Sequence, residues 1–420
     1  MVYQPPAGAR DLLPLGVAQK RWIEDKLQQV FHRWGYHRII TSTLERMDTL
    51  MAGGAIQDST VIQLQNANDE ELGLRPELTA SIARTVVTRM AGNSYPQRLY
   101  YNDRVFQRPP NIQHNQPQEF FQAGVELLGG GGLIADAEVL MIVANCLQGL
   151  AIKSWHLILG DAGITRSLLK IFPQQVRPQV RQAIANLDRV AIDKLSLSEE
   201  LKTHAKTILD LRGKPHDTLK KIYKFDLGKP QKEAVNNLKT LVDLIESQVD
   251  FSLILDLSLI QTIDYYTGIV FEVVSNAETG VTILGRGGRY DQLLGLYDPQ
   301  GESVPGIGFA FSIEGLYQIL LQNQQLPVAI PTTNWLVVPE TPNDYGLAFA
   351  HAQKLRDSQH LVRVEVDLVS KTAAEVKQYA IDRGILHIAC ITAGSLPVIE
   401  LVHNQEKSQK FDYLLNKPSR

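Results

Sequence analysis

Between Gly16 and Trp34 the residues Ala18, Trp22, Ile23, Leu27, Val30 and Phe31 recur at helical spacing with charged residues between them, and Gly35 follows. That spacing predicts an amphipathic helix with a glycine stop. Short strand-like runs come next, His37 to Ser42, Ser59 to Leu64 and Leu72 to Arg75, and then a helix from Pro76 to Met90. Gln97 to Gln107 and Glu119 to Leu128 read as an antiparallel pair joined by the Pro/Asn/Gln-rich loop Arg108 to Gln118, which is too polar for a core. Gly129 to Gly132 is a joint before a helix over Asp136 to Leu150 and a strand over Ser154 to Leu159.

From Ile164 to Gln248 the pattern is almost wholly helical, with an N-cap at Ser198 and a proline start at Pro230. Strand-like runs resume at Phe251 to Ile260, Val270 to Ser275 and Thr282 to Leu284, and Gly306 to Leu321 reads as strand then helix. The helical stretch therefore interrupts one domain. After a Gln/Pro-rich linker, strands and helices alternate from Trp335 to Val402, as in a small α/β domain with a largely parallel sheet. The expected organisation is a discontinuous domain over 1–163 and 249–321, a helical insertion over 164–248, a linker over 322–333 and a C-terminal domain over 334–420.

The length of 420 residues agrees with two or three domains at about 150 residues each. Forty-two Lys plus Arg against 45 Asp plus Glu leave a net charge of −3, so the chain has no general attraction for nucleic acid or anionic lipid. Cys146 and Cys390 stand alone in apolar surroundings and read as buried free thiols. With no basic and apolar leader at the N-terminus, a reducing cytoplasm is the expected compartment. The longest uncharged apolar run, Val139 to Ile152, falls short of the ~20 residues a bilayer span needs.

Walker, Rossmann, zincin and serine-hydrolase motifs are all missing from the sequence. Three segments could carry chemistry. Gly285-Arg-Gly-Gly-Arg-Tyr-Asp291 reads as a glycine-rich sheet turn with two cations, or as a place where backbone approaches a ligand. Tyr265 and Tyr266, if on a strand, point to opposite faces, so that one at most lines a given cleft. Leu74-Arg-Pro-Glu-Leu-Thr79 sets a carboxylate at a helix start, as a cap or as a site residue.

Taken in order, Pro5-Pro-Ala-Gly-Ala-Arg-Asp-Leu-Leu13, Leu74-Arg-Pro-Glu77, the Val105 to Gly129 hairpin, Asp264-Tyr-Tyr266, Gly287-Gly-Arg-Tyr-Asp291 and Gly306-Ile-Gly-Phe309 resemble the class II histidyl-tRNA synthetase family over nearly the whole chain. The resemblance implies an α+β fold. Its elements would be an antiparallel six- or seven-stranded sheet flanked by helices, dimerisation through the first long helix, an all-α insertion and a small C-terminal domain like the anticodon-binding one.

A synthetase of that family uses three arginines to hold the charge that builds at the α-phosphate. At the matching positions this chain has Gln107, Gln261 and Gly315. The hairpin is one residue longer than the family's, and counting back from Phe120 would put Arg108 at the first position. A slip inside a strand reverses its faces, so the extra residue belongs in the loop. That loop has no Lys or Arg from Pro109 to Gln118. Ser42 also stands where the family's motif 1 has proline.

The residues matching the family's histidine pocket are retained, namely Glu77, Thr79, Gln122, Glu126, Tyr265 and Tyr266. A pocket kept without its catalytic cations resembles the regulatory subunits of ATP phosphoribosyltransferase, as do Asp264-Tyr-Tyr-Thr-Gly268 and Phe120-Phe-Gln-Ala-Gly-Val-Glu-Leu-Leu128. This second resemblance implies a non-catalytic subunit that activates a short-form ATP phosphoribosyltransferase catalytic subunit in the first step of histidine biosynthesis, with L-histidine as effector. It implies a homodimer within a larger hetero-oligomer, up to an octamer, and no metal, cofactor, nucleic acid or membrane. An active histidine-tRNA ligase and a histidine-sensing paralogue with another partner are the alternatives. From Pro331 to Arg420 ten Lys plus Arg balance ten Asp plus Glu, without the basic footprint of an RNA binder.

Overall fold

The computed structural model describes residues 5–6, 8–54, 56–65, 70–108, 117–225, 227–249, 251–260, 265–277, 280–369 and 371–402. Gln261, Asp264, positions 109–116 of the hairpin loop and residues 403–420 lie outside the described residues. The chain divides into two compact units, Met1–Leu326 and Pro327–Arg420.

The first unit is built on a nine-stranded sheet. In chain order its strands are β1 (His37–Arg38), β2 (Gln97–Phe106), β3 (Glu119–Leu128), β4 (Trp155–Asp161), β5 (Arg212–Gly213), β6 (Ser252–Asp256), β7 (Ile269–Ala277), β8 (Gly280–Arg289) and β9 (Gly306–Ser312). Their order in space is β1-β2-β3-β9-β8-β7-β4-β6-β5. The expected antiparallel sheet of six or seven strands is corrected on both counts, to nine strands and to a mixed sheet, because β1 runs parallel to β2 and β4 parallel to β6. A parallel neighbour needs a long crossover, and the helical stretch between β4 and β6 supplies one. That stretch also contributes β5, whose Arg212 and Gly213 pair with Asp256 and Leu255 at the sheet edge.

Alternation along the central strands separates the two faces of this sheet. Ala123, Val125 and Leu127 of β3 and Ile307, Phe309 and Phe311 of β9 join one core with helices α1 (Pro14–Arg33), α2 (Gly132–Gly149), α3 (Lys229–Gln248) and α4 (Ile313–Gln322). Gln122, Gly124 and Glu126 alternate with them, opposite Ser312, Ala310 and Gly308, and face the other way. Helix α2 starts four residues before the expected Asp136, and by length and composition it could cross a membrane. Its apolar residues Val139, Val143, Cys146 and Leu147 are instead buried in the core between α1 and α3.

Three further expectations are corrected. The run from His37 to Ser42 is a strand only over His37–Arg38, and Ser59 and Thr60 belong to a 3₁₀ turn before the strand Ile62–Gln65. Gly285 to Arg289 is no turn: it is the second half of β8, paired with β7 and β9 on either side. Glycine is needed there for cross-strand room, since a β-carbon on Gly288 would lie 2.7 Å from the Tyr266 ring.

A small sheet of Leu44–Arg46, Glu71–Leu74 and Ile62–Gln65 leads into Arg75, whose side chain is fully buried. Its Nη1 donates to the carbonyls of Thr41 (2.8 Å) and Ser42 (3.2 Å), and its Nε to that of Arg104 in β2 (3.0 Å). Its Nη2 lies 2.8 Å from the Asp103 carboxylate. Arg75 thus clasps the 41–42 backbone to β2.

In the second unit β10 (Trp335–Pro339), β11 (Val364–Val366), β12 (His387–Ile391) and β13 (Val398–Leu401) form a sheet in the order β11-β10-β12-β13. Only β13 is antiparallel. The helices Tyr345–Arg356 and Ala373–Asp382 each help to close one of two small apolar cores.

Candidate functional site

A cavity of about 540 Å³ opens on the sheet face opposite α1 and α2. Glu77, Thr79, Gln122, Tyr265 and Tyr266 line it together. Glu126 lies one layer behind, buried, with its carboxylate accepting from the Thr79 hydroxyl (2.7 Å) and the Tyr290 hydroxyl. Tyr265 and Tyr266 both face the cavity, contrary to the strand expectation, because they sit in the loop that enters β7 and are free of strand alternation.

Each of these side chains is placed by its backbone. Glu77 precedes the helix Thr79–Arg89, and its two oxygens accept from the N–H groups of Thr79 (2.6 Å) and Ala80 (2.8 Å). The cap and the site residue are therefore one side chain, whose lone pairs are not exhausted by two bonds. Gln122 comes from β3, and its amide has no hydrogen-bond partner among the described residues. Gly308 of β9 makes room for Glu126, since a β-carbon there would stand 1.8 Å from its Oε2.

Burial raises the proton affinity of both acids at the cavity. Burial pushes Glu126 up to about 8, against the hydroxyls of Tyr290 and Thr79 that donate to it. Burial likewise raises Glu77, opposed by the two backbone N–H groups. The phenols of Tyr101, Tyr265 and Tyr290 are held well above their usual value, by burial first and neighbouring carboxylates second, so they stay donors. The site can accept from a cationic group at Glu77 and Gln122 and can donate from tyrosines.

The three positions matched to synthetase arginines are placed differently. Gln107 lines the cavity and donates from Nε2 to the Pro76 carbonyl (2.9 Å), whereas Arg108 is absent from the cavity wall among the described residues. Gly315 sits in the first turn of α4, its N–H bonded to the Ser312 hydroxyl (3.1 Å), and does not line the cavity. Gln261 lies outside the described residues. Sequence reasoning missed Tyr290, Tyr101 and Arg286 as wall residues. Strand parity would have revealed Arg286, had Gly285–Arg289 been read as strand.

Comparison with known proteins gives a consistent picture. The sequence model described as Histidyl-tRNA synthetase matches residues 8–316. The chain is 67% identical over 400 residues to the ATP phosphoribosyltransferase regulatory subunit of Nostoc punctiforme, covering 95% of this chain and 99% of that one. It is 66% identical to the protein of the same name from Nostoc sp. strain PCC 7120, over 96% of this chain and all of the other. A solved Bacillus halodurans structure, an ATP phosphoribosyltransferase regulatory subunit/histidyl-tRNA synthetase, superposes with TM-score 0.79 at 26% identity, over 94% of this chain and all of that one. Histidyl-tRNA synthetase from Nostoc sp. PCC 7120 shares the fold, with TM-score 0.72 at 22% identity over 95% of this chain and 94% of that one. With its sheet, its cavity and these relatives taken together, the chain belongs to the ATP phosphoribosyltransferase regulatory subunits, a family built on the histidyl-tRNA synthetase fold.

Proposed function

We propose that this regulatory subunit takes L-histidine in the cavity around Glu77 and Gln122 and thereby sets the activity of a separate, short-form ATP phosphoribosyltransferase chain in the cytoplasm, as a homodimer within a larger hetero-oligomer. The observation that supports this best is the asymmetry of the site. Acceptors suited to an ammonium or a ring N–H are grouped at Glu77 and Gln122, beside tyrosine hydroxyls that can donate. At the position matched to the first synthetase arginine stands Gln107, spent on the Pro76 carbonyl, and the other two matched residues are Gln261 and Gly315. Losing one donor at developing charge costs about 3–4 kcal/mol of transition-state stabilisation, so three losses leave recognition without adenylation.

Regulation requires histidine to prefer one assembly state, because a ligand bound equally by two states shifts neither. The test is transferase activity of the short catalytic chain, with and without this subunit, across a histidine titration. Activity should rise on adding the subunit and fall again with histidine. Identical behaviour in its presence and absence, under conditions where the complex is demonstrated, overturns the proposal. The folded second unit favours the ligase reading, and histidine-dependent ATP–pyrophosphate exchange would establish that alternative.

A further inference from the structure

Arg286 is the one Lys or Arg lining the cavity among the described residues. It sits on β8 opposite Ala310 of β9, which in turn is opposite Gly124 of β3 and then Tyr101 of β2. Cross-strand partners share a face, so this row carries Arg286 onto the face that holds Gln122 and Glu126. Two strand spacings, about 10 Å, separate it from Gly124, and the long side chain can close much of that gap.

Its guanidinium is held from one side only. Nε donates to the Glu272 carboxylate across the β7–β8 pair at 2.8 Å, and neither Nη has a hydrogen-bond partner among the described residues. The side chain is 52% exposed against 17% for Glu272, so Glu272 is packed and Arg286 projects. An arginine fixed at Nε with both Nη groups open presents the two-pronged donor that fits a carboxylate. Glu77, on the wall of the same cavity, is complementary to a cation. A cationic fork and a carboxyl group on one cavity wall are the donor and acceptor that a zwitterion needs.

From this we infer that Arg286 binds the α-carboxylate of the amino acid in the cavity and makes the site select free amino acids over their neutral-carboxyl derivatives. The inference rests on the histidine reading of the cavity and adds the residue that sets this selectivity. Glu272 acts as a positioning residue, reaching the ligand only through Arg286.

Titration calorimetry of the full-length protein with L-histidine and with L-histidinamide, which keeps the ammonium and imidazole and has no carboxylate charge, tests it. In the unsubstituted protein histidine should bind more tightly than the amide. Arg286→Ala should weaken histidine by roughly 10- to 100-fold and leave the amide within about twofold, erasing the preference. Arg286→Lys, which keeps the charge and loses the fork, should retain part of it. If Arg286→Ala weakens both ligands equally, or neither, the inference is overturned while the histidine reading stands. If the unsubstituted protein binds neither ligand, the histidine reading itself fails and takes this inference with it.

Discussion

The Tyr290 hydroxyl donates to the buried Glu126 carboxylate, which Thr79 holds from the other oxygen, so one acid behind the cavity organises two residues of its wall. Tyr290 follows the last residue of β8, Thr79 opens a helix and Glu126 belongs to β3. The acid joins three elements that are distant in sequence.

Its raised proton affinity sets a pH dependence. Glu126 in the native state holds its proton up to about 8, whereas the ordinary value is 4.5, so between these limits the native state binds more protons than the unfolded state. This contribution to stability is present below about 4.5 and is lost as the pH rises through about 8. Glu126→Gln should therefore be more stable than the parent at pH 8 and no more stable at pH 4.5, measured by urea unfolding. A substitution that destabilises equally at both pH values would contradict this account.

Glu77→Gln should reduce histidine affinity by about tenfold or more, since a neutral amide would replace the carboxylate proposed to meet the ammonium. It should also cost about 1 kcal/mol of stability, because its oxygens cap the helix Thr79–Arg89. Gln122→Ala should weaken histidine without that stability loss, as its amide bonds no described residue. Calorimetry and thermal unfolding together separate the two effects.

Histidine binding should release protons. Burial raises Glu77 and Glu126, and an arriving ammonium draws such groups toward ionisation. The heat of binding at pH 7 should vary with the buffer's ionisation enthalpy, and Glu77→Gln should reduce that variation. A binding heat independent of buffer would rule out this coupling.

Gly308→Ala should cost about 1–3 kcal/mol and abolish histidine binding, because a β-carbon 1.8 Å from Glu126 Oε2 and 2.5 Å from the Val125 carbonyl has no room. Adding Glu126→Ala to it should recover part of the stability and none of the binding. Equal affinity for Gly308→Ala and the parent would show that Glu126 does not shape the cavity.

No ATP–pyrophosphate exchange is expected with histidine, and restoring arginine singly at position 107 or 315 should not produce it, because groups serving one transition state act as a unit. At Gly315 a β-carbon would already be 3.0 Å from the Ile283 carbonyl, so the larger residue also displaces β8. Exchange at a synthetase-like rate in the parent protein would reverse the functional reading.

Long periodic segments were legible from sequence: α1 spans Pro14–Arg33 where the spacing placed it, and the β2–β3 hairpin pairs Val105 with Phe120. Hidden from view were features fixed by distant partners. The glycines of β8 imitate a turn because local composition does not reveal that Tyr266 presses on the strand. Arg212–Gly213 is too short to signal a strand, and what makes it one is its pairing with Asp256 and Leu255 of β6. Glu77, by contrast, was visible as a carboxylate at a helix start, since capping is a local rule, while the bond from Tyr290 to Glu126 behind the wall required the tertiary fold.

The Arg75 clasp has a mechanical consequence. Only Pro76 separates this anchored side chain from Glu77, and the Pro76 carbonyl is itself held by Gln107. A chain pinned at both ends over two residues has little slack, so the backbone that carries Glu77 is tied to β2 through Arg75. Loosening Arg75 would unmoor a residue of the cavity wall without altering any side chain that lines the cavity.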